Sequence, residues 1–151
     1  MDYVRDAWYV ASWSHEIKDR LIRITIMGEN IVLFRSRDGI ISALEDRCPH
    51  KSLPLSRGRI LNDAIQCGYH GMTFGTDGKC IRIPGQDNIP ATAFVKTYLI
   101  AEEYNIVWIW MGDKEKANTK NIFKLPQFDD PAWSCLLYTS DAADEEDSVD
   151  L

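Results

Sequence analysis

Two short segments carry the residues best suited to chemistry: Cys48-Pro49-His50 and, after sixteen intervening residues, Cys67-Gly68-Tyr69-His70. Each supplies one thiol and one imidazole, so two loops brought side by side would present four soft or borderline metal ligands. The bland alternative is two buried cysteines and two surface histidines, and the repeated pairing of both types at short spacing argues against it. A tetrahedral zinc site with two Cys and two His uses the same donors. Zinc fingers, however, put both cysteines in one segment and both histidines in another, the latter on a helix. Here each segment mixes the two, and the surroundings read as strands.

Those strands must position the segments. Residues 21–26 alternate Ile22, Ile24 and Ile26 against Arg23 and Thr25, the period-two pattern of a half-buried strand. A turn is expected at Glu29-Asn30, a second strand at 31–35, an Asp38-Gly39 turn, and a third strand at 40–45, together a β-meander. A Pro- and Gly-marked loop from about Asp46 to Arg59 holds the first segment. Short strands near 64–67 and 72–74 flank the second, and Thr76-Asp77-Gly78 closes another hairpin. After the Ile83-Pro84-Gly85 loop, residues 93–100 and 104–111 read as a last antiparallel pair. In the second of these, Trp108 and Trp110 point one way and Val107, Ile109 and Met111 the other. Its near-continuous apolar run predicts burial on both faces. No segment before Met111 keeps a 3.6-residue period over three turns, and residues 112–134 read as a polar, Pro-containing linker. The fold class is all-β.

Composition sets the outer limits. The 151 residues are 45% apolar and 26% charged, which fits a folded globular domain and excludes disordered, collagen-like and coiled-coil chains. No run approaches the roughly 18 to 20 apolar residues of a membrane helix. The opening MDYVRDAWYVASW is too charged for a secretory signal. Four cysteines, two of them at metal-ligand spacing, point to a reducing compartment, so a cytoplasmic location is expected. The net charge of −6 resides in residues 135–151, which hold six acidic residues and no Lys or Arg. Without them the chain carries 17 acidic and 17 basic residues, so nucleic acid and anionic membrane are not expected as partners. The tail has the composition of a disordered acidic extension, but CLLYTSDAADE looks like a translated transposon-end sequencing adapter, and SVDL like its downstream primer site. On that reading, residues 1–134 form the domain with the start of a linker, and residues 135–151, Cys135 included, are non-native.

Cys-x-His followed by Cys-x-x-His resembles the Rieske [2Fe–2S] signature, in which two cysteines hold one iron and two histidines the other. The resemblance implies that Cys48 and Cys67 bind the first iron, and His50 and His70 the second. It also implies a Rieske-type antiparallel β-sandwich with a small cluster-binding subdomain made of two ligand loops. Gly58, Gly68, Gly71 and Gly75 would then let backbone approach the cluster closely. Respiratory Rieske proteins carry a disulfide between their ligand loops; Leu53 and Tyr69 stand at its positions here. They also place Ser and Tyr hydroxyls against the cluster where this chain has Met72 and Phe74. Fewer hydrogen bonds to the sulfurs lower the potential, which should fall near the low end of the Rieske range.

AWYVASWSHEI, EDRCPHKSLPLSRGRI, CGYHGMTFGTDGKCIRIPG and VWIWMGD together resemble the N-terminal Rieske domain of aromatic-ring oxygenase α subunits, particularly the vanillate O-demethylase and dicamba monooxygenase branch. The resemblance covers residue 3 to about 134. It implies that electrons arrive from a flavin/iron–sulfur reductase or a ferredoxin. They pass to a mononuclear non-haem Fe(II), held by two His and one carboxylate in a following catalytic domain, usually in a neighbouring subunit of a homotrimer. That iron drives O₂-dependent hydroxylation or O-demethylation. This catalytic domain is absent from the sequence, so the chain is not catalytically complete and no catalytic residue is assigned.

Lys51 stands where the family commonly has Arg, and Leu99 where it has Pro. Losing the bidentate fork at Lys51 would weaken a contact to a carboxylate in the adjoining domain. A stand-alone Rieske ferredoxin shares the ligand motif and is the rival reading. The WYVASWSHEI opening and the extension past Met111 disfavour it. His15 reads as a surface residue, Cys80 as a small buried hydrophobe, and Trp8, Trp13, Trp108 and Trp110 as aromatic core. Pro84 is placed in a loop covering the cluster.

Overall fold

Three hairpins set the strand registers, and each turns on two residues with positive φ. In the computed structural model, which describes residues 3–128 and 130–134, Ile26 pairs with Glu29, Leu61 with Ala64, and Glu103 with Ile106. The turn residues are therefore Met27-Gly28 (φ 52° and 78°), Asn62-Asp63 (47° and 64°) and Tyr104-Asn105 (59° and 59°). Positive φ at both central residues is what a type I′ turn requires, and its twist matches that of the flanking strands. The first hairpin corrects the expected turn: Glu29 and Asn30 are paired in a strand, and Gly28, immediately before them, supplies the permissive backbone.

Eleven strands follow in chain order among the described residues: β1 (Ala7–Trp13), β2 (Ile22–Ile26), β3 (Glu29–Arg35), β4 (Ile41–Glu45), β5 (Arg59–Leu61), β6 (Ala64–Gln66), β7 (Thr73–Phe74), β8 (Cys80–Arg82), β9 (Thr97–Tyr98), β10 (Ile100–Glu103) and β11 (Ile106–Met111). They form three antiparallel sheets, ordered β2-β3-β4-β9, β1-β11-β10 and β5-β6-β7-β8. The chain is all-β, as its patterning predicts.

Strand β3 explains the layering. Its Ile31 and Leu33 point into a core with Ala43, Tyr98, Val107, Ile109 and Met111, between the first two sheets. Its Val32 and Phe34 point the other way, into a second core with Leu44, Leu55, Ile65, Phe74 and Val95. The middle of this sheet is thus buried on both faces and ties the sandwich to the third sheet, which is why residues 31–34 form an unbroken apolar run. All four are 0% exposed, and each such burial contributes roughly 1.5–3 kcal/mol.

Strand β11 is likewise buried on both faces. Its Ile106 and Trp108 pack outward against Ile122, with Trp8 and Leu125 beside them. Residues 112–125, expected as linker, are therefore part of the domain. They lie along the outer face of sheet β1-β11-β10, pinned where the Trp8 indole N–H donates to the Asn118 carbonyl at 2.9 Å.

The opening AWYVASW, to which the patterning assigns no element, is strand β1, paired along β11 with a bulge between Val10 and Ser12. One further expectation changes. Residues 93–100 are not one strand: β9 pairs with β4 in one sheet and β10 with β11 in another, and the chain crosses between sheets at Leu99. The acidic tail from Cys135 onward lies outside the described residues.

Candidate metal centre

The two Cys/His segments fold into loops of the same hydrogen-bonded design. The Cys48 N–H donates to the Leu53 carbonyl at 2.8 Å, and the Cys48 carbonyl accepts from the Ser52 N–H at 2.9 Å. In the second loop the Cys67 N–H donates to the Met72 carbonyl at 2.8 Å, and the Cys67 carbonyl accepts from the Gly71 N–H at 3.2 Å. Closing each loop needs positive φ at its fifth residue, 57° at Ser52 and 78° at Gly71. Gly71 suits that conformation, and it also has a crowded neighbour, since a Cβ there would meet Pro84 Cγ at 3.0 Å.

The loops sort their donors by depth. Cys48 and Cys67 are 2% and 3% exposed and belong to the second core, whereas His50 and His70 are exposed. The two imidazole rings lie 4.7 Å apart, centroid to centroid, at 55°. Burial pushes the Cys48 thiol above its ordinary value, and the adjacent Cys67 raises it further, against backbone N–H groups of His50 and Lys51 that stabilise the thiolate. The sulfurs pair at the floor and the imidazoles at the rim. Among the described residues, no three His, Cys, Asp or Glu side chains gather about one point as ligands of a single ion. A cleft of about 480 Å³ adjoins the rim, lined by Pro49, His50, His70, Met72, Pro84 and Pro90, among others. Two buried sulfurs facing two outward imidazoles are the donor chemistry of a mixed Cys/His iron–sulfur cluster, so the residues fit such a group.

Buried polar groups hold this arrangement. Asp46, two residues before Cys48, is 4% exposed. Its carboxylate accepts from the Ser56 N–H at 2.6 Å and the Ser56 hydroxyl at 2.7 Å, and it pairs with Arg23 at 3.3 Å. The first loop is thereby tied to the 3₁₀ turn at Leu55–Arg57. Gly58 follows that turn so closely against β6 that a Cβ would collide with the Gln66 carbonyl, and a Cβ on Gly68 would lie 2.8 Å from the Arg57 carbonyl.

Cys80 is a buried free thiol and His15 is exposed, as their residue types predict. Met72 and Phe74 are buried, and Pro84 borders the cleft lined by the two histidines. Gly58 and Gly68 lie against backbone carbonyls, whereas Gly75 sits in the β7–β8 turn beside Asp77. Trp13 is the exception among the tryptophans at 44% exposed, while Trp8 and Trp110 pack edge to face at 5.4 Å. Sequence reasoning missed Asp46, which is an ordinary acid until its burial is known. It also missed Tyr69, whose ring stacks on His70 at 3.8 Å and 26°.

Comparison with known proteins bears on the same region. Residues 7–99 match the family described as the Rieske [2Fe-2S] domain. The iron–sulfur subunit of the toluene-4-sulfonate monooxygenase system from Comamonas testosteroni is 42% identical over 132 residues, covering 87% of this chain and 38% of that protein. The vanillate O-demethylase oxygenase subunit of Pseudomonas sp. is 38% identical, over 87% of this chain and 37% of its own length. The crystal structure of dicamba monooxygenase bound to dicamba superimposes with a TM-score of 0.82 at 37% identity, covering 86% of this chain and 39% of that one. The chain thus spans well under half the length of these relatives. No helix among the described residues is long and apolar enough to cross a membrane.

Proposed function

Because the chain belongs to the Rieske [2Fe-2S] domain family, we propose that Cys48, Cys67, His50 and His70 hold one [2Fe–2S] cluster, and that the domain is the electron-accepting part of a non-haem iron oxygenase. The observation that carries this reading is the division of the four donors into a buried sulfur pair and an exposed imidazole pair on two matched loops. A cluster bound there would supply one-electron storage within reach of the surface.

The chain's own residues shape that chemistry. Cys48 and Cys67 keep the thiolate side away from water. His50 and His70, as neutral ligands in place of thiolates, favour the reduced state and hold their outer ring N–H at the surface. Met72 and Phe74 bring no hydroxyl to the sulfurs, which keeps the potential low, about −150 mV at the low end of the Rieske range.

The wider activity follows from what the relatives are. Oxygenase components of demethylases and monooxygenases match over most of this chain and continue far beyond it. The intact protein then receives electrons from a flavin/iron–sulfur reductase or a ferredoxin. It delivers them to a mononuclear iron held by two His and one carboxylate in a further domain, across a subunit boundary of a homotrimer, for hydroxylation or O-demethylation of an aromatic substrate. Residues 135–151 are adapter-derived in this account. Sequencing the source DNA past the codon for Ser134 tests it. A frame running on into a domain with that ligand set supports the oxygenase. A frame that reads the acidic tail and stops makes the chain a stand-alone electron carrier.

A further inference from the structure

Each Cys/His loop starts from a buried polar side chain, and the two side chains differ in charge. Gln66, immediately before Cys67, is 9% exposed. Its Nε2 donates to the Gly71 carbonyl of its own loop at 3.4 Å, and its Oε1 accepts from Arg59 Nε at 2.8 Å. Asp46, two residues before Cys48, is the counterpart in the first loop. Its carboxylate accepts from the backbone and the hydroxyl of Ser56, and Arg23 Nε lies 3.3 Å from Oδ2. A neutral amide thus stands beneath one loop and a fixed negative charge beneath the other. The Asp46 side chain has no exposed surface, whereas that of Arg23 is half exposed.

That charge lies close to the buried sulfurs. Two residues of chain span at most about 7 Å, so the Asp46 backbone stays near Cys48. The Asp46 N–H donates to the Asn30 carbonyl at 2.8 Å, which fixes it against β3. Its other partner, Ser56, follows Leu55, and Leu55 packs in the same core as Cys48 and Cys67. A charge buried in such surroundings is weakly screened. A [2Fe–2S] cluster gains one negative charge on reduction, and its potential depends on the charges around it. A fixed carboxylate at this depth opposes that gain. Arg23, nearer to solvent, offsets it in part.

We propose that Asp46 is a positioning residue for the cluster and that its buried charge also sets the cluster's potential, with Arg23 as the partial counter-charge. Both roles rest on the proposed function and deepen it. Reduction adds one electron from the donor, with no bond made or broken. The two roles separate by sign. Loss of either partner loosens the first loop in the same direction. Loss of the carboxylate, however, raises the potential, and loss of the guanidinium lowers it.

The test is a redox titration of the cluster-loaded chain at mildly alkaline pH, where carboxylates are ionised, read by the paramagnetic signal of the reduced state. Asp46→Asn should raise the potential by the equivalent of about tenfold in the ratio of reduced to oxidised chain, about 59 mV for one electron. Arg23→Gln should lower it by less, about threefold in the same ratio, because water and salt screen the half-exposed guanidinium. Arg23→Lys, which keeps the charge, should restore the original potential. Asp46→Asn combined with Arg23→Gln should fall between the two single variants. Release of iron to a chelator reads the position of the loop and should quicken several-fold in both single variants. Glu103→Gln, which removes a carboxylate paired with Lys124 in the outer sheet, is the remote control and should leave the potential in place. Shifts of one sign in both single variants, no shift in either, or an equal rise in Glu103→Gln overturn the charge role. Unchanged iron release overturns the positioning role. If Asp46→Asn fails to load, Arg23→Gln decides alone: a lowered potential supports the charge role, and an unchanged or raised one overturns it. A chain that takes up no cluster even without substitution overturns the proposed function as well.

Discussion

The sandwich and the cluster-binding lobe both bury their apolar side chains well, but they are held by different means. In the sandwich, β1 and β3 run seven residues each and β11 six, paired along nearly their whole length. In the lobe, β5, β6 and β8 have three residues and β7 has two. The rest is loop, including the two Cys/His loops, whose backbone groups are satisfied by each other and by Asp46. The sandwich is therefore a fold that its own ladders and core can sustain. The lobe leans on Val32, Phe34 and Leu44 of β3 and β4 to complete its core, and the proposed ligation would fix its tip.

The largest test of that contrast is removal of a ligand. Cys67→Ala should abolish cluster loading and raise hydrogen exchange across residues 46–58 and 67–72 by roughly a hundredfold or more, because metal binding is coupled to local folding. Amides of β3 and β11 should stay protected. Their loss as well would show that the sandwich also depends on the cluster, and the contrast would fail.

A core truncation in the sandwich should give the opposite pattern. Ile109 is 0% exposed in the first core, so Ile109→Ala should cost about 2–5 kcal/mol of global stability in denaturant unfolding. The molecules that remain folded should still bind the cluster. Between these cases lies Gly58→Ala, which forces a Cβ into the Gln66 carbonyl. Overpacking of this kind costs about 1–3 kcal/mol, and here cluster loading should fall before the sandwich melts. Equal loss of both would mean that the lobe has no independent tolerance.

The smallest effect is electrostatic and belongs to the sandwich. Burial raises the pKa of Glu29, but hydrogen bonds from Lys96 at 2.5 Å and Tyr98 at 2.6 Å outweigh it and leave the carboxyl below its ordinary 4.5. A depressed folded-state pKa stabilises above the unfolded value and loses that contribution as pH falls through the folded one. Glu29→Gln should therefore cost a fraction of a kcal/mol at neutral pH and flatten the decline of Tm on acidification below the ordinary carboxylate value, with loading untouched. An identical acid profile in both proteins would remove Glu29 from the account.

What the sequence made legible follows the same division. Period-two alternation revealed β2, and the runs at 31–35 and 106–111 revealed strands buried on both faces, because side-chain burial writes itself into hydrophobic pattern. The four proposed ligands were legible because metal chemistry restricts residue type and spacing. Strand β1 was not, since its residues are mostly half-buried, and an edge with a bulge carries no clean alternation. The break at Leu99 was hidden because both sides are equally strand-like and only the tertiary fold assigns them to different sheets. The strap over Trp108 read as linker because one buried side chain, Ile122, anchors a polar segment. Tyr69 and Asp46 matter through what they touch, and neither contact has a sequence signature.

The most direct test of the central claim is electron paramagnetic resonance of the dithionite-reduced chain, produced with nitrogen-15 histidine and analysed for iron and sulfide. Two irons and two sulfides per chain are expected, with a reduced-cluster signal coupled to two histidine nitrogens. The coupling should be lost from one site in His50→Cys and in His70→Cys, together with a fall in potential. Zinc in place of iron, or a cluster signal without histidine coupling, would contradict it.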